Sequence, residues 1–316
     1  MNALAGLVER LRESRGFRHK SDISGVLSRL PEGAQAVPIG DDCAAIPDGD
    51  GYLLFAIEGL VSDFVRAMPW FAGYSGVMVN VSDIYAMGGR PLAVVDALWS
   101  GDAQAASEVL AGMAAASSAY GVPIVGGHSN VRSDRAQLAV AIVGRARKLL
   151  TSFDARPGDA LVMAVDLRGR FEEPYPFWNA SVSAPAGRAR GDYELLPALA
   201  EDGLCDAAKD ISMAGALGTA LMLLECSKAG ARIDLDALPC PEGVDFERWL
   251  TAFPSFGFVL SVRPEQVDEV LARFASRDLA SAVIGQVDAS REVVLTRDGD
   301  AALLWNLHEE PFICAR

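Results

Sequence analysis

Residues 74–87, YSGVMVNVSDIYAM, predict a buried helix that carries an acid. Val77, Val81 and Ile84 recur at helical spacing, and a Gly-Gly-Arg-Pro run ends the pattern. Asp83 lies among these apolar side chains. A buried carboxylate costs free energy unless something cationic pairs with it, so the stretch predicts a core helix with a cation beside its acid.

Short apolar runs alternate with helical patterns around this stretch. Strands are predicted at 53–57, 92–99, 122–125 and 137–143, and an alanine-rich helix at 105–120, ended by Gly121. Such alternation predicts an α/β or α+β domain. An Arg-Pro-Gly-Asp turn at 156–159 marks a boundary, so the chain divides into a first half, 1–150, and a second half, 151–316.

Composition excludes several classes of partner. The 316 residues carry 28 basic against 42 acidic side chains, a net charge of −14, which argues against a nucleic-acid partner. No apolar stretch reaches the roughly 18 residues that cross a bilayer, and the N-terminus lacks the apolar run of a signal peptide. Five cysteines without a CxxC pair favour reduced thiols and a cytoplasmic location.

Acidic residues at five positions are candidate metal ligands: Asp41, Asp42, Glu58, Asp83 and Asp210. Asp41 and Asp42 follow a glycine, Glu58 ends a predicted strand, Asp83 lies within a predicted helix, and Asp210 precedes one. Mg²⁺ takes oxygen ligands and often bridges one or two carboxylates to phosphates. The alternative is that each acid caps a helix or occupies a turn, and sequence spacing does not show whether the five converge.

The run Gly126–Asn130, GGHSN, follows a predicted strand. Its backbone N–H groups are candidates for an anion-binding nest, although the run is neither a P-loop nor GxGxxG. His128 is a candidate metal ligand, phosphate contact or acid–base group; a structural histidine is the alternative. Lys20 is a candidate phosphate contact or a surface lysine. A stretch rich in aromatics, about 168–192, is either a lid or a loop fixed to the core.

Taken together, several segments resemble the aminoimidazole ribonucleotide synthetase-like (PurM-like) superfamily. They are 39–44 (IGDDCA), 58–61 (EGLV), 80–88 (NVSDIYAMG), 125–129 (VGGHS), 156–159 (RPGD), 209–212 (KDIS) and 230–236 (GARIDLD). The likeness runs over most of the chain in one order. The sequence of these segments is most similar to that of thiamine-monophosphate kinase.

The resemblance implies a two-domain α+β fold, with 1–150 binding ATP and metal and 151–316 forming a mixed-sheet α/β domain. It implies a homodimer whose N-terminal sheets pair, and MgATP as cofactor. Catalysis is assigned to Asp83 and His128. The implied metal ligands are Asp42, Asp83 and Asp210, with Asp41 and Glu58 added from the acids above. Candidate nucleotide contacts are Gly40, Asp42, Gly126, Gly127, His128, Ser129, Asn130, Ser212 and Lys20.

Residues that differ from the thiamine-monophosphate kinase motifs leave three functions open. His128 replaces an aspartate, and Met213 replaces an acid after Ser212. The leading hypothesis is phosphoryl transfer from ATP to a small metabolite. The first alternative is an ATP-driven synthetase or dehydratase that activates an oxygen. The second is a nucleotide-binding subunit without turnover.

Overall fold

Helices and strands alternate along the chain in a computed structural model that describes residues 3–27, 29 and 37–314. The helices are α1 Ala3–Glu13, α2 Arg15–Leu27, α3 Ser62–Ala67, α4 Pro69–Ala86, α5 Ala103–Tyr120, α6 Arg188–Tyr193, α7 Leu195–Glu201, α8 Gly215–Cys226, α9 Phe246–Leu250 and α10 Val267–Ala275. The strands are β1 Ala44–Asp48, β2 Gly51–Leu60, β3 Arg90–Trp99, β4 Ile124–Asn130, β5 Gln137–Ala146, β6 Ala160–Val165, β7 Arg170–Phe171, β8 Phe177–Asn179, β9 Ala207–Asp210, β10 Gly230–Asp234, β11 Phe253–Pro254, β12 Gly257–Val262, β13 Ala280–Asp288, β14 Glu292–Arg297 and β15 Asp300–Asn306.

The chain forms two compact units. The first comprises Met1–Asp41, Leu150–Ser181 and Leu199–Arg316, and the second comprises Asp42–Leu149 and Val182–Ala198. The chain passes between the units after Asp41, Leu149, Ser181 and Ala198, so α1 and α2 belong to the first unit. The division into 1–150 and 151–316 stays a prediction.

The second unit is a five-stranded sheet covered by helices. Its strand order is β1-β2-β5-β3-β4, antiparallel except for the β3–β4 pair. Helix α4 packs on β2, β5 and β3, and its buried apolar residues match the predicted period. Helix α5 ends at Gly121 in the left-handed conformation, as the sequence predicts.

Two glycines allow α4 and α5 to approach closely. A Cβ atom on Gly73 would lie 1.9 Å from the carbonyl oxygen of Val109, and one on Gly112 would lie 1.8 Å from that of Trp70. These contacts are with backbone, which cannot rotate aside as a side chain does. Helix α4 therefore has a fixed position against α5.

Replacing Gly112 with alanine is expected to destabilise the protein by about 2 kcal/mol, because separating the helices costs more than the helix propensity of alanine returns. Thermal unfolding should occur several degrees lower. The matched control is Gly25→Ala in α2, where a Cβ atom meets nothing within 4 Å. That variant should be neutral or stabilised by up to about 1 kcal/mol. Equal effects from both substitutions would contradict the close-contact explanation.

The first unit is built on a seven-stranded mixed sheet of order β15-β14-β10-β13-β6-β12-β9. All twelve residues of α8 are buried, so this helix is central to the core. Helix α1 buries Leu4, Leu7, Val8 and Leu11, which recur at helical spacing. Within the described part of the chain, no helix combines the length and apolar character needed to cross a bilayer.

Candidate metal and nucleotide site

Two carboxylates come together in the second unit. Asp83 is on α4 and only 7% exposed, and Asp42 is in the turn before β1. One oxygen of each carboxylate lies within 4.8 Å of the other. Two negative charges this close repel each other, and burial of one increases the cost. A cation between them removes that cost, so the pair suits a divalent metal ion.

A neutral side-chain oxygen is buried on the same helix as Asp83. Asn80 is one helical turn before Asp83 and is fully buried. Its Nδ2 donates to the carbonyl of Gly76 at 2.7 Å, whereas its Oδ1 receives no hydrogen bond from the described residues. A buried oxygen without a donor is costly. Carboxylate and amide oxygens form the ligand type that Mg²⁺ prefers, so the residues present fit the ion.

The structure does not support Asp41 as a metal ligand. Its side chain is completely buried in the first unit. One carboxylate oxygen accepts from the backbone N–H of Ser152 at 2.7 Å and the other from the Ser152 hydroxyl at 2.6 Å. The ammonium of Lys209 lies 3.8 Å from the same carboxylate. Asp41 therefore fixes the backbone before Asp42 and neutralises a buried lysine.

Asp210 and Ser212 lie at the junction of β9 and α8 in the first unit. Asp210 is 4% exposed, and its carbonyl accepts from the hydroxyl of Thr219 at 3.2 Å. The backbone N–H of Ser212 donates to the same hydroxyl oxygen at 3.4 Å. The Ser212 hydroxyl has no hydrogen-bond partner within the described residues. The two hydrogen bonds to Thr219 hold the backbone on both sides of Ile211, while the assigned roles of Asp210 and Ser212 stay predictions.

Residues 126–130 form strand β4 rather than a glycine loop. They pair with β3 in parallel, from Val95 opposite Gly126 to Trp99 opposite Asn130. Neither Gly126 nor Gly127 has a positive φ. An anion-binding nest needs alternating right- and left-handed backbone, so the nest interpretation is wrong for this chain. Glycine permits extended backbone as readily as a turn, so the sequence alone does not distinguish a strand from a glycine loop here.

His128 and Asp83 lie on opposite sides of the same sheet. His128 is in register with Ala97, and its ring centroid is 6.0 Å from that of Trp99. Helix α4, which carries Asp83, covers the other face of the sheet, where a Cβ on Gly76 would contact Val140 and Leu138. Side chains alternate between the faces of a strand. Within one chain, the side chains of His128 and Asp83 therefore do not form a catalytic pair.

The remaining candidates are dispersed. Glu58 is exposed on β2, and it does not lie within 4.8 Å of both Asp42 and Asp83. Lys20 is half-buried on α2, in the first unit. Gly40 has φ +129° and its carbonyl oxygen lies 3.8 Å from the Sγ of Cys226. Ser129 and Asn130 are exposed on β4. Nucleotide contacts by these residues stay predictions.

The aromatic residues of the stretch 168–192 belong to its first part, which lies in the first unit as far as Ser181. Its strands β7 and β8 join β11 in a small three-stranded sheet. Trp178 is 5% exposed, donates from Nε1 to the carbonyl of Asp166 at 2.9 Å and packs edge-on against Trp249. Of the two interpretations left open by the sequence, these contacts favour the fixed loop.

Asp96, on β3, is an acid that the sequence analysis missed. Its Oδ2 is buried without a hydrogen-bond partner in the described part of the chain. A Cβ on Gly127 would lie 2.2 Å from its Oδ1, so Gly127 provides the space for this carboxylate. Burial raises the pKa of Asp96. The only sequence signal is an acid within an apolar strand.

Replacing Asp96 with asparagine is expected to stabilise the protein at neutral pH. Because the folded-state pKa is raised, the carboxylate destabilises the folded chain once pH exceeds the unfolded-state pKa. The gain in melting temperature should be full at pH 7–8 and should disappear as pH falls through the unfolded-state value, about 4. Thermal melts of both proteins across this range test it. A pH-independent difference would contradict the burial effect.

Both domains of one protein family match the chain. The model described as AIR synthase related protein, N-terminal domain, matches residues 40–146. The model described as AIR synthase related protein, C-terminal domain, matches residues 188–298. An uncharacterized protein of Synechocystis sp. is 48% identical over 98% of this chain and 97% of its own length.

Solved structures share the fold. PurL of Thermotoga maritima complexed with ATP has a TM-score of 0.76 at 21% identity, over 93% of this chain. The chain spans about half of that protein, 49% of its length. AaThiL complexed with AMPPCP and TMP has a TM-score of 0.66 at 21% identity, over 83% of this chain and 88% of its own. The predicted two-domain PurM-like fold is confirmed, and at these identities the structures establish the fold alone.

Proposed function

Because the chain belongs to the AIR synthase related family, we propose that it is an ATP- and Mg²⁺-dependent enzyme that transfers a phosphoryl group to a small metabolite. The carboxylates of Asp42 and Asp83, within 4.8 Å of each other, carry this proposal. Asp83 is on a helix fixed by close packing, and the buried amide oxygen of Asn80 is one helical turn before it. Such an acidic site needs a cation before it can hold a polyphosphate.

Asp42 and Asp83 would hold the ion, and on the family resemblance Asp210 would be the third carboxylate. Bound Mg²⁺ neutralises charge on the phosphates of ATP. The protein's own contribution is position: Asp41, held by Ser152 and Lys209, fixes the backbone that leads to Asp42. The Ser212 hydroxyl, free of a partner within the described residues, is available to a nucleotide oxygen.

Replacing Asp210 with asparagine tests the third ligand. We expect weaker binding of ATP in the presence of Mg²⁺, with little change in melting temperature. Asp41→Asn is the matched comparison, because it leaves Lys209 buried without its counter-charge and should mainly lower the melting temperature. If Asp41→Asn weakened MgATP binding while Asp210→Asn did not, the assignment of ligand and support would be reversed.

Product analysis tests the reaction. Purified protein is incubated with MgATP and a metabolite extract, and phosphorylated products are sought by mass spectrometry against a control with Asp83→Asn. A stable phosphorylated product supports phosphoryl transfer. Free phosphate with a dehydrated or cyclised product indicates the synthetase or dehydratase alternative instead. MgATP binding without release of ADP indicates a non-catalytic nucleotide-binding subunit.

We also propose a homodimer that pairs the five-stranded sheets of two copies. The face of the sheet opposite α4 carries Phe55, Ile57 and Val95, which are 50%, 65% and 41% exposed. Ile57 is opposite Ala141, which is opposite Val95, so the apolar row crosses three strands. An apolar sheet face of this kind is a candidate protein interface. His128 and Trp99 lie on the same face, where a second copy would cover them.

A further inference from the structure

Two thiols meet in the first unit, at the end of α8. Cys226 is the last residue of that helix and Cys314 is close to the C-terminus. Their Sγ atoms are 3.8 Å apart, although 88 residues separate them in sequence. Cys226 is buried, and Cys314 is half-buried and partly open to solvent. Two sulfur atoms at this distance are in van der Waals contact, so they are close enough to form a disulfide when an oxidant is supplied.

The C-terminal segment is held in place by more than this contact. The carboxylate of Glu225 accepts three consecutive backbone N–H groups, from Phe312, Ile313 and Cys314, at 2.7, 2.7 and 3.1 Å. The ring of Phe312 is fully buried, with ring centroids 5.5 Å from Phe17 and 5.1 Å from Trp305. The position of Cys314 beside Cys226 is therefore fixed by hydrogen bonds and packing.

We propose that Cys226 and Cys314 form a thiol–disulfide exchange site for low-molecular-weight disulfides. The Cys314 thiol loses its proton to solvent, and the thiolate attacks one sulfur of the disulfide. The S–S bond of the reagent breaks, one thiolate leaves, and Cys314 carries a mixed disulfide. Cys226, deprotonated in turn, attacks the Cys314 sulfur and expels the second thiolate. The two protein thiols are oxidised to one disulfide, and the reagent is reduced to two thiols.

The order of attack follows from the surroundings of each sulfur. The hydrogen bond between the two thiols lowers the pKa of Cys314, which favours its thiolate. The same hydrogen bond, together with burial, raises the pKa of Cys226. Cys314 is also the more exposed of the two. The accessible, more acidic thiol therefore reacts first, and the buried thiol resolves the mixed disulfide.

Closing the disulfide needs the sulfurs to move from 3.8 Å to about 2.05 Å apart. It would cross-link α8 to the C-terminal segment. Oxidation would also remove the thiol hydrogen of Cys226. The Sγ of Cys226 lies 3.8 Å from the carbonyl oxygen of Gly40, next to Asp41, so this contact would lose its donor. The oxidised protein should resist unfolding, because the cross-link limits the unfolded chain.

The test treats the folded, reduced protein with oxidised glutathione and maps peptides by mass spectrometry without reduction. We expect a linked pair of peptides that contain Cys226 and Cys314. The number of free thiols should fall from five to three. The melting temperature should rise by roughly 5 °C or more. Cys240→Ser is the matched control, since the pKa of that half-buried thiol is raised by burial, and it should still form the cross-link.

Cys314→Ser should abolish the linked pair. In Cys226→Ser, a stable glutathione adduct should remain on Cys314, because the resolving thiol is absent. Circular dichroism checks that both variants fold. The proposal is overturned if the unsubstituted protein keeps glutathione on Cys314 without forming the cross-link. It is also overturned if Cys240 reacts while the pair stays reduced.

Discussion

Replacement of Asp83 by asparagine is expected to weaken the binding of MgATP on the order of 100-fold while the protein remains folded. The two side chains have nearly the same volume, so the packing of α4 is retained. What changes is one negative charge beside Asp42, at a position only 7% exposed. A divalent ion loses a charged ligand there, and the loss is large because little solvent reaches the site.

The same substitution should have the opposite effect on the protein without metal. The carboxylates of Asp42 and Asp83 repel each other when no cation lies between them, so removing one charge relieves that repulsion. We expect the melting temperature of the variant in EDTA to equal or exceed that of the unsubstituted protein. Mg²⁺ should then stabilise the unsubstituted protein more than the variant, because only the former binds it well.

Isothermal titration calorimetry with ATP, in Mg²⁺ and in EDTA, measures the effect. Asp102→Asn is the matched control: it is the same substitution in the same unit, at the N-cap of α5, where asparagine caps as well as aspartate. Its MgATP affinity should be unchanged. If Asp83→Asn bound MgATP as tightly as the unsubstituted protein, the metal role of Asp83 would be wrong.

The sequence predicts those elements that local patterns determine. Helix α5 has a run of alanines and a terminal glycine, and α4 has apolar residues at a regular helical period, so the sequence predicts both. It predicts strand β4 only in part, because Gly126 and Gly127 suit a loop as well as a strand. Pairing with β3, which is distant in sequence, decides between them.

The candidate site was predictable only as a set of residue types. Asp41 and Asp42 are adjacent and chemically identical, and sequence does not show which of them faces a ligand. The hydrogen bonds from Ser152, 111 residues away, bury the side chain of Asp41. His128 and Asp83 are both residue types that suit catalysis, but the alternation of side chains along β4 places His128 on the face of the sheet opposite α4. Such outcomes depend on tertiary contacts.

Replacement of Ile57 by lysine is expected to convert the proposed homodimer to a folded monomer. Ile57 is 65% exposed on β2, so a lysine there extends into solvent and costs the single chain little. In the dimer, the same lysine meets an apolar sheet face that contains Phe55 and Val95. Burying an unpaired ammonium on each copy costs several kcal/mol, which raises the dimer dissociation constant by roughly 100-fold or more.

Light scattering after size-exclusion chromatography, over a range of concentrations, measures the change in mass. Leu110→Lys is the matched control, because Leu110 is 43% exposed on α5 in the same unit but not on the apolar sheet face. That variant should remain a dimer. A monomeric unsubstituted protein would remove the basis for the interface. A dimer that persists with Ile57→Lys would place the interface on another surface. Both results would leave the proposed metal site of Asp42 and Asp83 untouched, since that proposal depends on contacts within one chain.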